Sequence, residues 1–360
     1  MKQKHLIFIT LIILLASVIS ACSGGATTAT SWPGLAADEK YAYLAYNQHI
    51  YAIDLANGLE RWRFPGEADS KIAFYATPSL TSDGDLIAGS YHNVLYSLNT
   101  ETGAELWSYS DASNRYIGSS LVVDDLIFAP NAGNKLFAFN SQGQMLWTFE
   151  SQGALWAKPI SDPDCTCIYL SSMDHRIYSI DAQSGRQNWM TDDLGGSIVG
   201  TPAFDPSGVL FSGTFASEML AIDAQNGSII WRTPTTGWVW GGPVLADNLL
   251  YFGDLSGTLY ALNSQTGQIS WTIQADGPIS DSLLVTEDTI FFNTEAGSLY
   301  AIGKDGNFVW PQPKLIGNKL YTTPVLAGDT LLIAPVGAEV LLYGLDLNGN
   351  QKWTFVPREN

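Results

Sequence analysis

Apolar residues in this chain come in short runs separated by polar turns, and the arrangement repeats. One unit reads Val244-Leu245-Ala246, an Asp247-Asn248 turn, Leu249-Leu250-Tyr251-Phe252, a Ser256-Gly257 turn, then Thr258-Leu259-Tyr260-Ala261-Leu262. A turn from Asn263 to Gly267 and a run through Trp271 complete four strands joined by loops of hairpin length. The unit recurs eight times, from about residue 32 to about residue 356, and each copy closes on Gly-x-x-x-Trp. The tryptophans are Trp62, Trp107, Trp147, Trp189, Trp231, Trp271, Trp310 and Trp353, spaced 39 to 45 residues apart. A period near 40 with several short strands per unit predicts an all-β fold. The expected form is a single eight-bladed β-propeller of four-stranded antiparallel blades.

The turn chemistry accounts for the glycines. Asp, Asn, Ser and Thr close the last hairpin of each unit, and Gly takes the positive-φ position at no steric cost. Units three, seven and eight shorten this turn by one residue but keep the Gly-to-Trp spacing. The tryptophan is expected on the fourth strand, its indole packed against the neighbouring blade. A small residue precedes each turn (Ala52, Ser97, Ala138, Ser179, Ala221, Ala261, Ala301, Gly344) and leaves room for a ring. Burying roughly 200 Å² per indole at about 25 cal/mol per Å² sets an upper bound of several kcal/mol each. These eight rings are architecture. Prolines 33, 78, 159, 202, 243 and 324 open first strands, where a missing N–H does least harm, and Ser120 and Ser282 stand there in units three and seven.

The beginning of the chain follows other rules. Lys2 and Lys4 precede an apolar run from Leu6 to Ile19, then Ser20-Ala21-Cys22. This reads as a signal peptide over residues 1–21. Ile19-Ser20-Ala21-Cys22 resembles the bacterial lipobox, which implies lipidation at Cys22. Residues 22–31 then form a flexible tether, and 32–360 the propeller. Ser23 implies sorting to the outer membrane in a two-membrane bacterium, or exposure on the outer face of the plasma membrane otherwise. The chain has 17 basic and 35 acidic residues. Without Lys2 and Lys4 the mature charge is −20, which argues against binding nucleic acid or anionic headgroups through electrostatics.

Cys165 and Cys167 stand in Asp162-Pro163-Asp164-Cys165-Thr166-Cys167, between the first two strands of unit four. Export permits a disulfide between them; free thiols and a metal site are the alternatives. Without a second pair or clustered His they make a poor zinc site, so no metal is expected. His49, His92 and His175 read as residues of second-to-third-strand turns.

Four tryptophans fall outside the repeat: Trp32, Trp156, Trp238 and Trp240. All lie before or at a first strand, which in a propeller lines the central channel. With Tyr75, Tyr116 and Tyr321 they are expected around one mouth, Tyr75 and Tyr321 as packing residues. Gly237-Trp238-Val239-Trp240-Gly241-Gly242 is the most distinctive segment. Trp156, Trp238, Trp240 and Tyr116 are candidate ligand or partner contacts, with packing inside the channel as the alternative. Lys158 and Asp281, read as occupying matched positions before the first strands, complete the candidate set.

Repeats such as Ala221-Ile222-Asp223-Ala224-Gln225-Asn226-Gly227 to Trp231 resemble those of pyrroloquinoline-quinone-type propellers. Two groups share them: quinoprotein dehydrogenases, and BamB-like outer-membrane lipoproteins of the β-barrel assembly machinery. The dehydrogenases resembling this repeat carry adjacent cysteines, a calcium site and a catalytic Asp. Here Thr166 splits the cysteines, loops are near minimal, and Asp54, Asp181, Asp223 and Asp346 sit in hairpin turns. The expectation is a non-catalytic, cofactor-free scaffold binding envelope proteins, among them β-barrel assembly components. A ligand- or glycan-binding module and a quinone-dependent dehydrogenase are the alternatives.

Overall fold

A computed structural model describes residues 32–358. They form eight antiparallel four-stranded sheets, each a meander of consecutive strands. The fold is the eight-bladed propeller that the period predicts. Blade one runs from Gly34–Ala37 to Glu60–Phe64, and blade eight from Val325–Ala327 to Gln351–Phe355. The first strands of these two blades lie side by side, so the ring closes with no strand exchanged between them.

Eight apolar cores hold the ring, each shared by two neighbouring blades. Between blades six and seven, for example, Tyr251, Leu259, Ile279, Ile290 and Phe292 pack together. Between blades eight and one the same role falls to Leu332, Leu342, Phe355, Leu44 and Ile53. Strand alternation feeds both sides of every sheet, because each inner strand is covered on both faces.

The repeated tryptophans link the blades one to the next. Trp62 Nε1 donates to the carbonyl of Thr100 at 2.7 Å, Trp107 to Ser141 at 3.0 Å, and Trp231 to Ser264 at 3.0 Å. Trp147, Trp189, Trp271 and Trp310 do the same one blade onward, to Ala182, Ala224, Lys304 and Leu347. Trp353 closes the circle on Leu55. Each ring lies flat on the turn glycine of the next blade: a Cβ at Gly103 would sit 2.6 Å from the Trp62 ring. The small residue pairs with its own tryptophan, as Ala52 with Trp62 and Ala261 with Trp271. The glycine therefore serves two ends, a positive φ (+70° at Gly103) and a flat seat for the preceding indole.

Blade seven departs from the expected placement. Trp310 lies outside a strand, and the fourth strand is only Lys314–Leu315. Pro311 and Pro313 remove two ladder donors, so regular pairing resumes only after them. Trp310 still reaches Leu347 at 3.3 Å.

Candidate functional site

One face of the ring carries the blade-to-blade connections and the second-to-third-strand turns. A repeated backbone bond sets their register. The residue five before the proline position accepts from the turn of its own blade: Ala73 from Tyr91, Ala154 from Met173, Trp238 from Leu255 and Pro278 from Glu295. The next residue points inward, giving Phe74, Tyr116, Leu155, Ile198, Val239, Ile279 and Leu320, all buried.

That register corrects two assignments. Tyr116 is a core residue, 1% exposed, and not part of a mouth. It fills the space left by Gly89, and burial pushes its phenol far above the ordinary range. Ile117 takes the position that Trp156, Trp240 and Tyr321 hold in their blades. Asp281 and Lys158 are not matched either. Leu284 pairs with Phe291 as Ile160 pairs with Tyr169, so Leu283 stands at the proline position and Asp281 lies one residue farther from the strand than Lys158.

The connection 235–243 joins Ile229–Pro234 of blade five to Val244–Ala246 of blade six. Buried Asp254 anchors it: Oδ2 accepts from Gly237 N at 2.7 Å and from the Tyr260 hydroxyl at 2.9 Å. Its Oδ1 accepts from the Ser256 and Thr258 amides and the Ser256 hydroxyl. Val239 points into the core, which turns Trp238 and Trp240 outward on either side of it. Both rings meet Phe215, from the second-to-third-strand turn of blade five, at centroid distances of 5.2 Å. Trp238 stacks on it nearly parallel, at 13°, and stays 52% exposed. Gly237 and Gly241 permit the close backbone approach; a Cβ at Gly241 would lie 2.3 Å from the Asp281 backbone.

A second aromatic group stands on the same face. Trp32 meets Tyr75 edge-on at 4.8 Å, Tyr75 meets Tyr91 at 4.9 Å, and the Arg115 guanidinium lies 4.4 Å from the Tyr91 centroid while bonding its hydroxyl. Phe215 and Tyr91 occupy the same repeat position, the second residue after a glycine near the end of the second strand (Gly213, Gly89). Sequence reasoning passed over both and also over Asp254; the repeat position was the signal that could have found the aromatic pair.

Trp156 is half-buried and its Nε1 has no protein partner. Lys158 is exposed to solvent but crowded by protein, which lowers its pKa. Asp281 accepts from Ser282 N at 2.8 Å and Thr323 N at 2.7 Å. Its surroundings raise its pKa, burial outweighing those bonds. By solvent access Asp281 is only half-buried.

Cys165, in the first-to-second-strand turn of blade four on the opposite face, and Cys167, the first residue of the strand that follows, are joined by a disulfide. His92 and His175 lie in second-to-third-strand turns, and the His175 ring meets Asp193 at 3.2 Å. His49 is instead the first residue of a third strand, buried, with Nδ1 2.8 Å from the Pro65 carbonyl. Cys22 and the expected signal peptide lie outside the described residues. Asp54, Asp181, Asp223 and Asp346 cap their own hairpins, accepting from Ala56, Ser184, Gln225 and Asn348 amides. Among the described residues no three His, Cys, Asp or Glu side chains converge.

A family profile described as "Outer membrane protein assembly factor BamB" matches residues 23–197 and 173–313. The chain belongs to this family. BamB of Burkholderia pseudomallei is 24% identical over 210 residues, 56% of this chain and 55% of that protein. Tetrathionate hydrolase of Acidithiobacillus ferrooxidans is 22% identical over 182 residues, 43% of this chain and 36% of that protein. Polyvinylalcohol dehydrogenase of a Sphingopyxis species is 26% identical over 145 residues, 33% of this chain and 22% of that protein. The chain thus spans from about a fifth to about half the length of the curated relatives it matches. The crystal structure of BamB from Moraxella catarrhalis superposes with a TM-score of 0.69 at 15% identity, covering 84% of this chain and 92% of that one. A europium-containing methanol dehydrogenase superposes with 0.67 at 13% identity, over 84% and 82%. These likenesses establish the propeller, and the family match runs from blade one into blade seven.

Proposed function

We propose that this member of the BamB family is a non-catalytic scaffold of the cell envelope, anchored by lipid at Cys22, that binds proteins of β-barrel assembly. The observation that carries the reading is the outer rim. The fourth strand ends every sheet, so its outward N–H and C=O groups are unpaired. On that rim Leu106, Met145, Leu146, Ile230 and Ile269 are 48–51% exposed. Six-residue edges such as Met145–Glu150, Ile229–Pro234 and Ile269–Gln274 are long enough to receive an added strand. Natural sheets ordinarily shield such edges, so apolar ones point to a partner. The ring is a stiff frame for them, and Asp54, Asp181, Asp223 and Asp346 are occupied in turns.

The test is in-cell crosslinking of the full-length lipidated chain followed by mass spectrometry. Recovery of an outer-membrane assembly protein, reduced in an Ile230→Asp, Leu146→Asp variant, is the expected result. Recovery of no envelope protein from cells holding normal amounts of the chain would overturn the reading.

A further inference from the structure

We propose that the face carrying the blade-to-blade connections lies against the phospholipid surface to which the chain is tethered, with Trp238 and Trp32 seated at headgroup level. The proposal rests on the lipid-anchor reading and adds an orientation and a contact to it. Three independent observations point to this face.

The first is where the described chain begins. Trp32 stands just before Gly34–Ala37, the innermost strand of blade one, and touches Tyr75 of the connection between blades one and two. The described chain therefore begins on this face, near the ring axis. A blade extends roughly 15–20 Å outward at about 4.8 Å per strand, and a similar distance along the axis at about 3.3 Å per residue. A path from Trp32 over the rim to the other face is on the order of 30–40 Å. Residues 22–31 span at most about 36 Å when fully extended. Lipid on the connecting face is within easy reach; lipid beneath the opposite face strains the full length.

The second is charge. Seven of the eight first-to-second-strand turns, which lie on the opposite face, carry a carboxylate, among them Asp83, Asp125, Asp164, Asp247, Asp288 and Asp329. Lys40 is the sole basic residue in those turns. An anionic membrane surface repels such a ring. The connecting face carries carboxylates too, among them Glu67, Asp69, Asp111, Asp192, Asp193 and Asp276, but its connections also hold Lys71, Arg115, Lys158 and Lys319, and the connection 235–243 holds no charged residue.

The third is the aromatic display. Trp238 is held out by a stack on Phe215 and by the Asp254 anchor, with half its surface open, and Trp32 is 37% exposed. Indoles prefer the headgroup region, where the ring is partly shielded and the N–H stays solvated. Fixing the ring beforehand removes most of the ordering cost of that contact.

The experiment reconstitutes the full-length lipidated chain in vesicles of phosphatidylethanolamine and phosphatidylglycerol with acyl chains brominated near the headgroup. Tryptophan fluorescence should be quenched, and Trp238→Ala should lose at least half of the quenching while floating with the vesicles as the parent does. Dyes attached at Ala216→Cys, on the connecting face, should transfer energy to headgroup acceptors more strongly than dyes at Asp125→Cys. A chain that floats but shows equal or reversed transfer, or quenching unchanged by Trp238→Ala, overturns the orientation and leaves the anchor standing. A chain that does not float overturns both.

Discussion

The indole of Trp353 donates to the carbonyl of Leu55 at 2.7 Å, across 298 residues of sequence. This bond does in the last blade what seven others do around the ring, and it joins the chain's two ends without a shared strand. A ring of blades gains little from any one interface if a neighbouring interface opens. The closing contact therefore matters more than its local energy suggests.

Trp353→Ala removes both the bond and an indole that is 8% exposed. A loss of about 3–5 kcal/mol is expected, as for other large-to-small changes in packed sites. Trp238→Ala removes a ring of the same size that is half open, and should cost less than about 1 kcal/mol. Urea unfolding of the two variants checks the contrast; comparable losses would mean that closure does not depend on the indole.

Glycine seats give a second contrast. Gly103 has φ +70° and the Trp62 ring on its open side, whereas nothing approaches a Cβ at Gly66 within 4 Å. Gly103→Ala should destabilise by more than about 1 kcal/mol, while Gly66→Ala should be neutral or stabilise by up to about 1 kcal/mol. Thermal unfolding of both, side by side, decides it.

The fold was legible because every unit repeats the same physical requirement, a glycine turn on which an indole rests. The face was legible only in part. Trp238 and Trp240 stand out in sequence because they lie outside the Gly-x-x-x-Trp repeat, in a segment bounded by glycines. Asp281 was misplaced because the proline that marks register is absent from unit seven, where Leu283 and not Ser282 holds its place; Tyr116 was misplaced because it lies one residue farther from its proline position, Ser120, than Tyr75 and Tyr321 do from theirs. One-residue slips there exchange a core position for a channel position. Asp254 carries no sequence mark at all, since its role is to gather donors from Gly237, Ser256, Thr258 and Tyr260 in three dimensions.

Tyr116 offers a test of that corrected placement. Its hydroxyl is buried with no protein partner. Tyr116→Phe keeps the ring in the space beside Gly89 and removes a desolvated polar group, so stability should hold or rise by about 1 kcal/mol. A loss larger than about 1 kcal/mol in urea unfolding would place the hydroxyl in a hydrogen bond, and the residue nearer the channel.

Asp281 supplies a pH dependence with a definite sign. Its folded pKa is raised, burial outweighing the bonds from Ser282 and Thr323. The folded state then holds its proton more tightly than the unfolded chain, whose Asp titrates near about 3.9. The stabilising contribution is fully present below that value and is lost as pH rises through the folded pKa. Asp281→Asn cannot titrate, so the stability of the parent minus that of the variant should fall as pH is raised from about 3.5 and then level off. Urea midpoints at several pH values measure it. A difference that rises with pH would show that the two backbone donors outweigh burial, and would make Asp281 a charged feature of the channel wall at neutral pH.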